Sequence, residues 1–428
     1  MNPKQTLSPV DGFLYGLLGF PLAFCALPLY VMLPNLYAQE FGVPLTTLGV
    51  MLLGARLLDA VTDPFLGHLC DRLYARSLHA VLTFCGLCAV LLAGSFSLLF
   101  FPPAGDPDRL LPWAGAMLII TYSAYSAITV AHQSWGAMLG GDAAQRSRIV
   151  FWREGLGLVG VVLAALTPSL LGKSAMLALF AASLLLGWLA WTRAVRPVSP
   201  VCRPVGSKVP AYSVWHPWRI SAFRRLLAVF MLNGIASAVP ATLVLFFIQD
   251  KLQAPEFMQA VFLGCYFVCG ALSMPLWLLG VKRWGLVRCW LFGMAMSITV
   301  FLGATQLHAG DTGLFLIVCA LSGVALGSDL ALPGALLAGV ILDAGDHGQS
   351  EGAYFGWWNL ASKLNLALAA GLALPMLSLL GYFPGAREPQ ALQALTVAYC
   401  LLPCALKALA AGTLFTFNIQ SRIQLEAL

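Results

Sequence analysis

Twelve runs of about 20 apolar residues recur along this chain, each long enough to cross a hydrocarbon layer roughly 30 Å thick as a helix. They fall near Gly12–Leu36, Leu45–Leu69, Ala80–Phe101, Leu111–Leu139, Ile149–Leu171, Ala175–Ala194, Leu226–Gln249, Phe257–Gly280, Cys289–Leu307, Gly313–Leu342, Gly352–Tyr382 and Leu392–Phe417. Of the 428 residues, 60% are apolar and 10% charged, against about 25% charged in a soluble domain. Lipid offers no partner to a backbone N–H or C=O, so runs of this kind must become helices that satisfy their own hydrogen bonds. The fold class expected is an all-α polytopic membrane protein of 12 transmembrane helices. The longest runs imply tilt or a break.

The basic residues give an orientation. With the N-terminus inside, the cytoplasmic connections hold Arg72, Arg76, Arg146, Arg148, Arg193, Arg196, Arg203, Lys208, Arg219, Arg224, Arg225, Lys282, Arg283 and Arg288, and the tails add Lys4 and Arg422. The opposite face holds Arg109, Lys173, Lys251 and Arg387. Sixteen against four places both termini in the cytoplasm of a cell whose plasma (inner) membrane the chain spans. The formal charge of +6 is then an orientation signal, and no nucleic-acid partner is indicated. The first run is too long, and too poor in small-residue cleavage signals, for a removable signal peptide.

The longest polar interval, residues 196–222, is rich in Pro and basic residues and separates the sixth run from the seventh. It divides the chain into an N-terminal six-helix half (1–194), a cytoplasmic linker (195–222) and a C-terminal six-helix half (223–428). Gly67-His68-Leu69-Cys70-Asp71-Arg72 after the second run and Gly280-Val281-Lys282-Arg283-Trp284-Gly285 after the eighth occupy corresponding places in the halves, as in transporters built from parallel repeats.

Inside the second run stand Arg56, Asp59 and Asp63. A carboxylate near the bilayer centre costs roughly 2.5–3.5 kcal/mol, so two in one helix must face protein or water. One turn apart, they share a helix face. Asp59 is about ten residues from the cytoplasmic end, or about 15 Å at 1.5 Å per residue. Two clustered anionic oxygen donors suit a small cation or a proton, whereas an ion pair with Arg56 or Lys363 that only locks helices is the plainer reading. Lys363, about 18 Å into the eleventh run, needs an anionic partner, and Asp59 and Asp63 are the candidates.

The twelve runs, the central linker and Gly67…Asp71-Arg72 resemble the major facilitator superfamily. Within it, the stretch from Arg56 through Asp59, Asp63 and Pro64 to Gly67 resembles the helix-two signature of the glycoside–pentoside–hexuronide:cation symporters. Pro333 through Asp343, Glu351-Gly352-Ala353-Tyr354-Phe355 and Lys363 extend the likeness. The resemblance implies that Asp59 and Asp63 hold a coupling cation, Na+ or H+, with Lys363 beside it. Thr62 stands where the family usually has an amide. Arg153 matches a pocket arginine, and Trp135 an aromatic against which a sugar ring stacks. In the melibiose carrier of that family, acids on helices one and four bind the sugar hydroxyls; the aligned places here are Pro21 and Ala131, which leaves His132 and Gln133 as substitutes. Interfacial roles are the alternative for Trp135, Arg153, His132 and Gln133.

Asp329 and Asn359 are further candidates for the solute pocket, with Asn233 and Gln249. Asp71, Arg72 and Arg146 fit a cytoplasmic charge relay or plain solvated loop charges. Pro21, Pro28 and Pro34 suggest kinks in the first helix. The 11 cysteines are dispersed in apolar runs; Cys85 and Cys88 have CxxC spacing but no companion cluster, so they read as packed hydrophobes and not a metal site. No phosphate-binding loop or catalytic triad is present, so no enzyme, cofactor or ATP-driven pump is indicated. The expectation is a secondary transporter, a monomer in lipid, moving a small-molecule solute with a cation. A sugar or sugar-like solute is the first reading; a non-sugar organic solute, exported or imported, is the alternative.

Overall fold

The computed structural model describes residues 7–103, 107–197 and 213–426, and every regular element among them is helical. Twelve long helical segments follow one another: α1 (Pro9–Gln39), α2 (Leu45–Arg76), α3 (Leu78–Phe100), α4 (Pro107–Met138), α5 (Ala143–Pro168), α6 (Leu170–Arg193), α7 (Ser221–Lys251), α8 (Glu256–Trp284), α9 (Leu286–Ala304), α10 (Thr312–Asp343), α11 (Glu351–Leu379) and α12 (Pro389–Thr416). Eleven are long and apolar enough to cross a membrane. The other, α2, has the length but carries Arg56, Asp59 and Asp63 in its middle third.

Several helices are interrupted where the sequence dictates. In α1 the turn at Pro28–Met32 is a π-turn, with the Leu33 N–H donating to the Pro28 carbonyl. Similar turns lie at Phe247–Lys251 in α7 and Val397–Leu401 in α12. Such turns bulge the backbone and are frequent at functional sites. In the first turn of α6 the chain kinks at Gly172, whose φ of 82° is a conformation that side-chain-bearing residues rarely adopt.

Two compact units form. The first comprises residues 1–219 with 338–360, and the second residues 220–337 with 361–428. The first unit therefore includes the loop between α10 and α11 and the adjoining ends of both helices. A close backbone approach accounts for this: a Cβ on Gly67 of α2 would fall on the Gly352 carbonyl, and one on Gly352 would fall on that of Gly67. The expected linker, residues 195–222, falls largely outside the described residues; its described end forms a short 3-10 turn at His216–Arg219.

In the first unit, Gly12, Gly16 and Gly19 of α1 lie against Trp152 and the Arg153 backbone of α5 with no room for a Cβ. Small residues at this spacing let membrane helices touch along their backbones. Phe180 of α6 then packs on Phe24 and Phe96, all fully buried. The second unit is centred on Phe247, stacked on Tyr399 at 4.2 Å and next to Phe315. On the outside, Leu272, Leu276 and Leu279 of α8 are each more than 60% exposed. An apolar stripe in contact with solvent is unfavourable in water and ordinary against lipid. The chain is an integral multi-pass membrane protein.

Candidate functional site

Arg56, Asp59 and Asp63 of α2 are spaced three and four residues apart, so one helix face carries all three. Asp59 is 6% exposed and Asp63 fully buried. The Ser126 hydroxyl of α4 donates to Asp59 Oδ1 at 2.7 Å. The Arg56 guanidinium sits 3.6 Å above the Tyr30 ring, in the π-turn of α1, and within hydrogen-bonding reach of the Tyr122 hydroxyl of α4. A cation over an aromatic face keeps its charge while part of its hydration is lost. Thr62, expected beside the acids, donates its hydroxyl to the Asp59 carbonyl at 2.9 Å. Pro64 has no N–H for the Ala60 carbonyl one turn back. The arrangement is oxygen-rich, and the three formal charges on the face sum to −1.

The residues expected as a gate separate into three situations. Asp71 accepts the first N–H groups of α11, from Gly352 at 2.6 Å and Ala353 at 2.8 Å. A carboxylate there satisfies orphan donors and faces the positive end of the helix dipole. Arg146 lies against Gly339 at the end of α10, near Asp142 and Asp343, while Arg72 is exposed. Beside them the His216 imidazole meets both carboxylate oxygens of Asp346 at 2.9–3.0 Å, and Tyr354 donates to the same group at 2.6 Å. Trp357 donates its indole N–H to the Val214 carbonyl and packs between Trp215 and Trp218. Residues 213–219 are thus tied to the α10–α11 loop within one unit, a tie that the sequence alone did not suggest.

The remaining candidates of the first unit take other places. Trp135 is fully buried, donates to the Val195 carbonyl at 3.0 Å and packs edge-on to Trp191. His132, also fully buried, donates Nε2–H to the Tyr15 carbonyl at 2.8 Å, and the Tyr15 hydroxyl returns a bond to the His132 carbonyl. Both are core residues of this unit, with no face left for a solute ring. Gln133 Oε1 and the second ring nitrogen of His132, Nδ1, are both buried without a partner among the described residues. Arg153 pairs with its neighbour Glu154 at 2.6 Å, the two partly exposed. Asn359 is half-buried.

In the second unit, Asp329 has a partner that sequence reasoning missed. Lys407 of α12 is 4% exposed, and its ammonium lies 2.8 Å from Asp329 Oδ2 and 2.8 Å from Asn233 Oδ1. A lone lysine inside an apolar run is the signal that singled out Lys363, and it applied equally to Lys407. Lys363 itself belongs to this second unit. At one end of the unit Tyr382 donates to Asp250, which also accepts from the Gly385 N–H; burial and this bond push the Tyr382 phenol up, so it stays neutral. Among the described residues no three His, Cys, Asp or Glu side chains gather as metal ligands.

Comparison with known proteins then gives the setting. A family model described as MFS/sugar transport protein matches residues 12–421. An uncharacterized symporter of Bacillus subtilis (strain 168), YjmB, is 22% identical, the alignment covering 99% of this chain and 96% of that protein. Among solved structures, a bacterial homologue of the iron transporter ferroportin in the outward-facing state superposes with a TM-score of 0.67 at 15% identity, over 96% of this chain and all of the other. The Escherichia coli fucose:proton symporter, FucP, gives a TM-score of 0.67 at 14% identity, over 94% of this chain and 98% of its own. At such identities the structural likeness establishes the fold.

Proposed function

The chain belongs to the MFS/sugar transport protein family, and we propose that within it this member is a cation-coupled symporter of a sugar or sugar-like solute. It works by alternating access in the plasma (inner) membrane, with both termini cytoplasmic. The Asp59/Asp63 pair carries the reading: two buried carboxylates on one face at membrane depth, one of them held by Ser126, with Arg56 fixed over Tyr30. Their charge is one unit in excess of that of Arg56, which suits a monovalent cation, Na+ or H+. Lys363 is the proposed rival for the same carboxylates, so that cation entry and release of Lys363 alternate. The Asp71 cap on α11 and the His216–Asp346 tie are the proposed latch that holds one conformation.

The solute is assigned to Gln133, Arg153 and Asn359, since His132 and Trp135 are taken up by the core. A relative's designation as a symporter supports coupled transport. Counterflow of a panel of sugars and organic solutes in proteoliposomes, with and without a sodium or proton gradient, tests the reading. Gradient-driven sugar accumulation is expected. A Lys363→Ala variant that keeps cation-coupled uptake unchanged would remove Lys363 from the scheme.

A second reading, the carriage of a non-sugar organic solute in either direction, is favoured by one observation. The places where acids would bind sugar hydroxyls hold Pro21 and Ala131, both buried and neither with an acceptor side chain. Exchange of non-sugar solutes alone in the same assay would select it.

A further inference from the structure

The second unit holds an ion pair that the coupling scheme above does not use. Asp329 is the eighteenth of 32 residues in α10, and Lys407 the nineteenth of 28 in α12, so both lie at mid-depth. Trp290 of α9 donates its indole N–H to Asp329 Oδ1 at 2.9 Å. On the other oxygen, Oδ2, converge the Lys407 ammonium at 2.8 Å and the Ser237 hydroxyl of α7 at 3.3 Å. The Tyr266 phenol of α8 is within electrostatic range of the carboxylate. Among the described contacts of Asp329, α12 supplies the cation Lys407, α8 the Tyr266 phenol, α7 the Ser237 hydroxyl and α9 the Trp290 indole. The Lys407 side chain is 5% exposed and that of Asp329 13%, so the acid is the more reachable member.

We propose that Asp329 is a proton-exchange site of the transport cycle, with Lys407 as its built-in counter-cation. A sodium ion would have to sit between Asp329 Oδ2 and Asn233 Oδ1, the position the ammonium holds, and two like charges at that separation repel strongly in a medium of low dielectric. A proton needs one lone pair. The indole at Oδ1 can only donate, so a proton there would find no acceptor in it; at Oδ2 the Ser237 hydroxyl, donor and acceptor both, turns to accept from the new O–H. Lys407 then keeps Asn233. Asn365 packs its amide on Gly234, next to Asn233, and its Oδ1 is buried with no partner among the described residues. The step balances simply. One proton leaves water, one carboxylate becomes a carboxylic acid, the cluster charge rises from zero to +1, and release reverses each change.

Infrared difference spectra of the full-length protein in nanodiscs, recorded between alkaline and acid buffer, test the assignment. The wild type is expected to gain a protonated-carboxyl band that Asp329→Asn lacks. In Lys407→Gln the midpoint of that band rises by about one pH unit or more, roughly a tenfold gain in proton affinity, because the counter-cation is gone. The pH profile of solute counterflow in proteoliposomes moves with it. A band that persists in Asp329→Asn, or an unmoved midpoint and flow profile in Lys407→Gln, overturns the proposal. Should Lys407→Gln fail to fold, the charge-free double variant Asp329→Asn/Lys407→Met must lack the band that the wild type shows, and its presence there overturns the proposal equally. The same band is expected in Asp59→Asn/Asp63→Asn, so failure of the sodium or proton reading at that pair leaves this one standing, and the reverse.

Discussion

Two acidic centres lie at membrane depth, one in each compact unit, and their surroundings are opposite in kind. Asp329 is closed on itself: Lys407, Trp290 and Ser237 meet its two oxygens, and the pair is neutral. The Asp59/Asp63 face carries one negative charge beyond Arg56, whose guanidinium is turned to Tyr30 and Tyr122. Burial alone does not separate them, since Asp63 is the most buried of the three acids. The difference lies in what each centre is built from: α2 sets two carboxylates one turn apart beside an arginine, whereas Asp329 is a single acid whose own ammonium fills the space at Oδ2.

The largest effect should come from breaking the closed pair. Lys407→Ala leaves Asp329 charged and uncompensated in the second unit, and a loss of about 3–5 kcal/mol is expected, read as unfolding or as lost monodispersity on heating. An unchanged melting temperature would mean that the ion pair does not form. Next comes Asp59→Asn. Here folding should be nearly unaffected while cation affinity falls about 100-fold, ~3 kcal/mol, measured by cation-dependent fluorescence or calorimetry. A milder change is Ser126→Ala, which removes the hydroxyl donor to Asp59. Its loss takes one oriented hydroxyl from the acid, and cation affinity should fall about 3- to 10-fold, ~1 kcal/mol, by the same cation titration. An affinity equal to that of the wild type would mean that the Ser126 bond does not shape the site. Smallest is Asp329→Asn/Lys407→Met, where stability should stay within about 1 kcal/mol of wild type, since replacing both members of a buried pair is often neutral. If the double variant is as unstable as Lys407→Ala, the loss lies in packing and not in charge.

Much of the fold was legible because lipid leaves the backbone so few choices: every expected apolar run lies within a helix or extends one by a few residues. The π-turns were less so. Pro28 marked a kink, but that the turn would carry Tyr30 over Arg56 depends on how α1 and α2 pack. The inclusion of residues 338–360 in the first unit rests on contacts such as Asp71 to Gly352, 281 residues apart in sequence, and on the Gly67–Gly352 approach. In the candidate sites, Asp59 and Asp63 stood out by charge and spacing. Lys407 carried the same mark as Lys363 but had no acid nearby in sequence, and its partner Asp329 is 78 residues away. Trp135 and His132 show the converse: their residue types suit a sugar site, but both are fully buried and their indole and Nε2 N–H groups go to the Val195 and Tyr15 carbonyls of their own unit.

The central claim, that the Asp59/Asp63 face couples transport to a cation, is tested most directly by solute accumulation in proteoliposomes under an imposed sodium or proton gradient. The wild type is predicted to concentrate its solute in response to one of the two gradients, and Asp59→Asn/Asp63→Asn to show no gradient-dependent accumulation. A double variant that reaches the same accumulation ratio as the wild type would contradict the account.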